Sequence, residues 1–502
     1  MNIRRLSIII CCCIPSIFKG YAQFDIAFKF AEKIDSVRLH ETLGILASDS
    51  LEGRGTGESG EIKSSAFLSM YLQRIGIQKI DQKSYLQPIS MYRQTSVPKH
   101  FLIEGNDFPD RYRYFNEFAQ DSIIKTDSIF FIGYGASSEN YNDLAGFDIK
   151  GKVVMMFSGT PYNKFGHAYT FPDAEWSDNV FKRLPKAVLI VRNDFSPFYD
   201  YSRRSVPENI YISDENKAKI PEIMINEALA NRILSPVNKT VKQISYEIER
   251  DGIPQSVAIR NPITISGETQ YQSTGSNNII GYIPGNKFTE EYIVVSAHYD
   301  HVGKGYDEIY NGADDNASGV SSVLEIARLF AEAKKSGKGP DRSLVFLFPA
   351  AEESGLCGSD YYVRHPLVPL AKTIACVNLD MLGRIDDKYE NITNDYVYVI
   401  THKTKSGTLK DKLEEINRLS YRLQLDYTHT SPDDPEQYFE RSDQYHFARN
   451  NIPSIFFSSG EHADYHKPSD DADKINFAAL QKRTKLAFLL IWELANEKTV
   501  KN

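Results

Sequence analysis

The chain has 502 residues, of which 41% are hydrophobic and 25% charged, as in a globular protein long enough for two or three domains. This composition excludes an intrinsically disordered chain. Its net charge of −8 and sequence pI near 5.8, with no long run of lysine or arginine, argue against a nucleic-acid partner.

The segment 1–22 has the pattern of an export signal. A basic start at Arg4 and Arg5 precedes an apolar stretch through Phe18 that is too short to span a bilayer, and Gly-Tyr-Ala ending at Ala22 is a small-x-small cleavage site. We expect cleavage after Ala22 and an exported mature protein, periplasmic or secreted, without stable membrane insertion. An uncleaved anchor is the alternative.

Cysteine usage does not indicate a disulfide scaffold. Three of the five cysteines belong to the predicted signal, so Cys357 and Cys376 remain in the mature chain. One disulfide between them is an open alternative. We favour two buried thiols, because free cysteine behaves as a small hydrophobic residue.

The segment 23–115 is predicted to be the first part of a split domain. It contains a glycine-rich run, Glu-Gly-Arg-Gly-Thr-Gly at 52–57, followed by an amphipathic helix around Ser64–Arg74. A phosphate-binding loop is the rival interpretation of these glycines. No Gly-Lys-Ser/Thr follows them, so we discount it.

The segment 116–268 is predicted to be a separate, β-rich domain inserted into the first. Short apolar strands bounded by turn residues are predicted at 129–135, 151–157, 187–191 and 220–225. This part of the chain carries no clustered ligand residues.

From residue 269 to 502 the chain alternates strands and helices and ends in an apolar-faced helix at about 477–496. Such alternation predicts an α/β fold, with a mostly parallel or mixed sheet flanked by helices. Three of its apolar strands end in imidazole or carboxylate side chains, namely His298 and Asp300, Glu352 and Glu353, and Asp380. In open α/β sheets, sites form at such strand ends.

Two loops add further candidates. Asp314 and Asp315 lie just before a predicted helix, and His462 and His466 lie in a late loop. Each alone is more often a helix cap or a surface residue. Paired carboxylates at the end of an apolar strand, however, need a cation or a proton to compensate them, so the combination favours a metal or acid/base site.

These motifs resemble the co-catalytic di-zinc aminopeptidase family, which also includes glutamate carboxypeptidases, the transferrin receptor and glutaminyl cyclases. The matching stretches, in family order, are His-Tyr-Asp at 298–300, Gly-Ala-Asp-Asp-Asn-Ala-Ser-Gly at 312–319, Glu-Glu-Ser-Gly-Leu at 352–356, Asn-Leu-Asp-Met at 378–381 and Tyr-His-Lys-Pro-Ser-Asp at 465–470. The resemblance implies a zinc-peptidase α/β/α sandwich.

The resemblance also covers earlier parts of the chain. The run at 52–57 is similar to the segment that opens the catalytic domain in this family. Gly-Tyr-Gly at 133–135 and Phe-Asp-Ile-Lys-Gly-Lys-Val-Val at 147–154 look like a protease-associated domain. Such an insert is expected to screen substrate size or to hold a partner.

Residue roles follow from the resemblance, position by position. It implies two Zn²⁺ per chain, bridged by Asp315, with His298 and Asp380 completing one site and Glu353 and His466 the other. Glu352 would be the general base, and Asp300 would orient the imidazole of the first site. Tyr465 would stabilise the oxyanion, although a packed aromatic side chain is an equal alternative.

Four residues remain open. Asp314 would be the bridging residue if the register were shifted by one. His462 either lines the pocket or, as we favour, bonds within its loop. His301 and His446 are expected to be structural or to lie at the rim.

The sequence therefore predicts an exported two-zinc exopeptidase acting on peptides, of which an aminopeptidase is the favoured kind. A carboxypeptidase or dipeptidase would use the same metal set. A glutaminyl cyclase normally works with one zinc, and a receptor-like binding protein would have lost catalysis. The sequence does not specify the preferred residue, the peptide length or the oligomeric state.

Overall fold

The computed structural model describes residues 24–80, 83–109, 113–117, 123–137, 141–159, 180–192, 208–213, 220–305, 307–401, 407–430, 434 and 436–497. The predicted export signal lies outside these ranges. The chain forms two compact units, which we call the site unit (residues up to Ser90 and from Gly275 onward) and the inserted unit (Met91–Thr274). None of the helices within the described ranges is long and apolar enough to cross a bilayer.

The first part of the site unit is helical. After a helical segment at 24–31 come α1 (Ser36–Leu46), a 3₁₀ turn (Asp49–Arg54) and α2 (Ser59–Ile75). Helix α1 begins where the Asp35 side chain accepts a hydrogen bond from a backbone amide of the first turn, and α2 ends at a left-handed glycine. The predicted amphipathic helix is confirmed and is longer than expected.

The inserted unit is a mixed sheet with two helices. Its elements are β1 (Leu86–Ile103), β2 (Asn106–Asp107), β3 (Arg113–Glu117), β4 (Ile123–Phe131), β5 (Val153–Phe157), β6 (Ala187–Val191), β7 (Glu208–Ile212), β8 (Glu222–Ile225), α3 (Glu227–Leu234), α4 (Val241–Asp251) and the start of β9 (Val257–Ile283). Strands β4, β5, β6 and β8 run parallel in that order. All four predicted strands are present, and the assignment as a protease-associated domain stays a prediction.

The unit boundaries differ from the expected positions. The sequence placed the insert at 116–268, whereas the compact unit spans Met91–Thr274. The difference arises because β1 and β9 are long strands that run across both boundaries without a break. No composition shift marks the point at which a continuous strand passes from one unit to the next.

The second part of the site unit carries the main α/β sheet. Its elements are β10 (Phe288–Ser296), α5 (Gly319–Lys335), β11 (Arg342–Phe348), α6 (Cys357–Arg364), β12 (Thr373–Leu379), β13 (Tyr396–Thr401), α7 (Gly407–Leu419), β14 (Gln424–Asp426), α8 (Gln444–Arg449), β15 (Ser454–Ser458) and α9 (Phe477–Asn496). The strand order is β14-β13-β15-β12-β10-β11-β9. The predicted fold class, a mixed sheet flanked by helices, is confirmed.

Both faces of this sheet are covered. In β10, Ile293 and Val295 pack into the core that contains Phe330 of α5, whereas Val294 packs on the opposite face with Tyr362 of α6. Burial on both faces explains why the buried part of the strand, Ile293 to Val295, is apolar at successive positions rather than at alternating ones.

Within the described residues, Cys357 and Cys376 are buried thiols. Cys376 lies in β12 with its thiol 3.8 Å from the Ser296 hydroxyl, and Cys357 begins α6. The favoured interpretation of two buried thiols is confirmed, and the disulfide alternative is wrong.

The sheet places four strand ends at one edge. Strand β10 is parallel to β11 and β12, and β12 is parallel to β15. Ser296 lies opposite Leu347 and Asn378, so these strands end within about one residue of each other. The segments that follow the four strands therefore leave the sheet side by side.

Substituting Phe330 with Ala should destabilise the site unit strongly. The Phe330 ring is fully buried, and its centroid lies 5.4 Å from that of Trp492 and 5.1 Å from that of Phe488. Removing the ring therefore leaves a cavity. We expect a loss of about 3–5 kcal/mol, measured as a lower denaturant midpoint for unfolding. Met70→Ala is the control, because the Met70 side chain is 62% exposed, and its free energy of unfolding should stay within about 0.5 kcal/mol of the wild type. Equal shifts for the two variants would contradict this packing.

Candidate active site

The four neighbouring strand ends, together with the loop before α5, bring two groups of potential ligands together. The first group is His298, Glu352 and Asp380, and the second is His301, Asp315, Glu353 and His466. Within each group, one potential ligand atom from every residue lies within 4.8 Å of all the others. The five predicted metal ligands and the predicted general base all fall in these groups.

Asp315 lies between the two groups. Its Oδ1 is 3.3 Å from His298 Nε2, and its Oδ2 is 2.9 Å from His466 Nε2. One carboxylate thus faces an imidazole from each group with a different oxygen. This is the arrangement that a bridging ligand between two metal ions requires.

The first group is held by hydrogen bonds behind it. His298 Nε2 lies 3.3 Å from Asp380 Oδ1 and 4.0 Å from Glu352 Oε2. The other oxygen of Asp380 accepts a 2.7 Å hydrogen bond from the Ser442 hydroxyl. The carboxylate of Asp380 is therefore fixed with one oxygen directed at His298.

The second group contains a histidine that was not among the predicted metal ligands. Glu353 Oε2 lies 3.0 Å from His466 Nε2, while Glu353 Oε1 lies 2.8 Å from His301 Nδ1. His301 was expected to be structural or at the rim, and it is buried within the group instead. Its position follows from the loop after β10, and strand periodicity gives no direction for a loop side chain.

Asp300 has an additional role that the sequence did not predict. Its Oδ1 is 3.7 Å from His298 Nδ1, while its backbone carbonyl is nearer, at 3.3 Å. The carboxylate accepts the backbone N–H groups of Glu352, at 3.1 Å, and Glu353, at 3.4 Å. Asp300 thus ties the loop after β11 to the loop after β10.

Arg54, in the glycine-rich run, is a structural anchor of the site. Its hydrogen-bond acceptors among the described residues are all backbone carbonyls, those of Leu46, Tyr299, Asn311, Gly312 and Asp315. It is 1% exposed, and burial lowers its pKa to about 10. The loop that presents Asp315 is therefore held by a side chain from the N-terminal part of the chain.

The site carries excess negative charge. Burial raises the pKa of Glu352 well above its ordinary value, and the charge of Asp380 adds to this. Burial and the Asp315 charge do the same to the pKa of Glu353. Burial also acts to raise the pKa of Asp315, but its contacts with His298 and His301 outweigh this and lower it to about 2. Buried carboxylates in this setting need a cation or a proton to compensate their charge.

The remaining candidates lie outside both groups. Asp314 accepts a hydrogen bond from the backbone N–H of Gly383, and His462 Nε2 lies 3.5 Å from Asp314 Oδ2. His446 lies 3.6 Å from Asp360. Asp314 is therefore not placed to bridge, and His462 contacts a neighbouring loop.

Tyr465 borders the second group. Its ring stacks on His466 with 3.8 Å between centroids, and its hydroxyl lies 3.5 Å from Arg441 Nη2. Burial raises the tyrosine pKa well above its ordinary value, and the charges of Asp315 and Glu353 add to this. The hydroxyl therefore keeps its proton at neutral pH.

The donor set fits a pair of zinc ions. The groups contain three imidazoles and four carboxylates, and two divalent cations would balance the four negative charges. Three protein ligands per ion is the number at which a catalytic zinc keeps an open position. Cobalt and manganese also accept such nitrogen and oxygen donors.

Comparison with known proteins places this site in a family. The model of peptidase family M28 matches residues 278–491. A Saccharomyces cerevisiae protein described as a "probable aminopeptidase" is 28% identical over 228 residues, 44% of this chain and 57% of that protein. A vacuolar membrane protease of Neosartorya fischeri is 31% identical over 181 residues, 32% of this chain and 17% of that protein. The chain thus spans less than two thirds of these curated relatives.

Solved structures show the same fold over nearly the whole chain. An aminopeptidase from Aneurinibacillus sp. strain AM-1 has a TM-score of 0.61 at 18% identity, covering 94% of this chain and 96% of that one. A zinc aminopeptidase from Bacillus subtilis has a TM-score of 0.55 at 18% identity, covering 93% and 97%. The fold of these structures is consistent with the family match, and the chain therefore carries a domain of peptidase family M28 over residues 278–491.

Proposed function

We propose that the protein is an exported zinc metallo-aminopeptidase that releases N-terminal amino acids from peptides. The observation that carries this proposal is the position of Asp315, whose two oxygens face imidazoles of two separate ligand groups, with Glu352 in the first group beside His298. Membership in peptidase family M28 and the aminopeptidases among the relatives support it.

Each zinc ion would have three protein ligands. His298, Asp315 and Asp380 would hold one ion, and Asp315, Glu353 and His466 the other. Glu352 lies 4.0 Å from His298 Nε2 and is not needed in either set. It is therefore the carboxylate available for acid/base work.

The chain's own residues supply the proton transfers. When bound, two zinc ions supply Lewis acidity that polarises the substrate carbonyl and makes a water more acidic. Glu352 accepts the proton of the attacking water at its carboxylate and returns it to the leaving amine. The hydrogen bond from the Glu352 backbone amide to Asp300 holds this base in place. The protonated Tyr465 hydroxyl donates to the developing oxyanion.

The charge around the site favours a substrate with a free amine. Two zinc ions would balance the four carboxylates of the groups, and the fully buried Asp443 is a further acidic side chain whose charge acts on Glu352. Arg54 is committed to backbone carbonyls. A carboxypeptidase is the runner-up because Arg441 lies beside Tyr465, but Arg441 also contacts Glu461 at 2.6 Å.

A panel of substrates should separate these functions. We expect the zinc-loaded chain to hydrolyse aminoacyl anilides and free-amine peptides and to leave N-acetylated copies of the same peptides intact. Release of amino acids from the C-terminus of blocked peptides would favour the carboxypeptidase. Cyclisation of N-terminal glutamine would indicate a cyclase. Metal uptake without turnover of any substrate would favour the binding protein.

The adjacent glutamates should give different phenotypes when each is changed to Gln. Glu352→Gln should lower kcat by about 10²- to 10⁴-fold, the usual contribution of a general acid/base, and leave bound zinc unchanged. Glu353→Gln should lower the zinc content as well, because it removes a charged ligand. Turnover assays and elemental analysis of the two isosteric variants measure this. Loss of zinc in Glu352→Gln would assign it to the ligand set instead.

Export rests on the sequence alone and is proposed on that basis. Expression of the full chain in a bacterial host should give a periplasmic or secreted product whose N-terminus is Gln23. Edman sequencing or mass spectrometry of the purified protein measures this. A mature chain that retains Met1 and fractionates with membranes would favour the uncleaved anchor.

A further inference from the structure

Two members of the groups belong to neither proposed ligand set, and they are Glu352, the proposed base, and His301, which has no assigned role. It is 1% exposed and lies in the loop after β10, three residues beyond His298. Its backbone amide donates to the Arg54 carbonyl, and its ring lies edge-to-face with that of His466, with 5.5 Å between the ring centroids and 68° between the planes. The side chain is therefore held in one place at the centre of the site.

Gly312 leaves the space that this ring occupies. A Cβ at Gly312 would lie 2.5 Å from Cγ and Cδ2 of His301, closer than real Cβ atoms approach, and the glycine has a φ of +56°. Both the close approach and the left-handed backbone favour glycine here. The loop that carries Asp315 is thus shaped around the His301 ring.

The contacts of Glu353 define what His301 does. The two carboxylate oxygens are divided between two imidazoles: Oε2 faces His466 Nε2 at 3.0 Å, and Oε1 faces His301 Nδ1 at 2.8 Å. The other ring nitrogen of His301 is buried without a hydrogen-bond partner among the described residues. Burying a nitrogen lone pair without a partner costs less free energy than burying an N–H group without an acceptor. We therefore assign the ring proton to Nδ1.

We propose that His301 is a positioning residue that donates its Nδ1–H to Glu353 Oε1 and so leaves Glu353 one oxygen, Oε2, for a metal ion. This inference rests on the proposed metal centre, and it predicts that the two ions of that centre differ in their dependence on His301. The ion held by Asp315, Glu353 and His466 depends on His301 for its affinity. The ion held by His298, Asp315 and Asp380 does not.

Two isosteric amides test the proposal. An Asn at 301 places its side-chain nitrogen near the position of Nδ1, whereas a Gln places it near Nε2. We expect His301→Asn to bind both zinc ions like the wild type. His301→Gln and His301→Leu should bind one of the two zinc ions about 10- to 100-fold more weakly, which is the usual effect of removing a residue that hydrogen-bonds to a metal ligand. The affinity for the other zinc ion should not change.

Calorimetric titration of zinc into chelator-treated protein measures both binding events, and it does not depend on turnover. His446→Leu is the matched control, since His446 also lies beside an acidic residue, Asp360, but belongs to neither group. The control should bind zinc like the wild type. The Asn and Gln pair decides the question even if the Leu variant does not fold.

Two results would overturn the proposal. Equal zinc affinities in wild type and His301→Gln would show that the contact with Glu353 does not matter. A weakened site in His301→Asn as severe as in His301→Gln would make His301 a direct ligand. Failure of the wild type to bind two zinc ions would instead refute the proposed function, so the two failures are distinguishable.

Discussion

The structure of the site is governed by the need to compensate buried negative charge. Four carboxylates converge at the ends of parallel strands in a setting that raises the pKa values of Glu352 and Glu353. Carboxylates in such a place require cations or protons. Divalent metal ions held by these carboxylates and by the imidazoles of His298 and His466 would satisfy this requirement, so the charge of the site and its ligand types favour the same kind of occupant.

The loops that carry these groups are joined to one another by buried hydrogen bonds. Asp300 accepts the amides of the Glu352 loop, and Asp470 Oδ2 accepts those of Asp314 and Asp315 at 2.9 and 3.2 Å. Arg54 binds the carbonyls of the same Asp315 loop. Acidic residues outside the ligand groups thus serve to place those within them, which is what a preorganised metal site requires.

Strand-end residues could be predicted from the sequence, and loop contacts could not. His298, Glu352 and Asp380 follow apolar strands, so parallel pairing alone brings them to one edge. His301 and Arg54 reach the site through loop conformations that no periodicity encodes. The glycine-rich run around Arg54 is similar to the segment that opens the catalytic domain of the family, but that resemblance gave Arg54 no role. The boundary at Met91 was missed for a related reason, because a strand runs through it.

The position of Arg54 determines when the site can be completed during synthesis. Its bond to the Tyr299 carbonyl joins residues 245 positions apart, and the whole inserted unit is translated between them. The inserted unit is therefore synthesised before the Tyr299 carbonyl to which Arg54 donates. A fragment restricted to the matched segment 278–491 would lack Arg54 and its hydrogen bonds to the carbonyls of the Asp315 loop, so the matched segment does not contain every residue that holds the site.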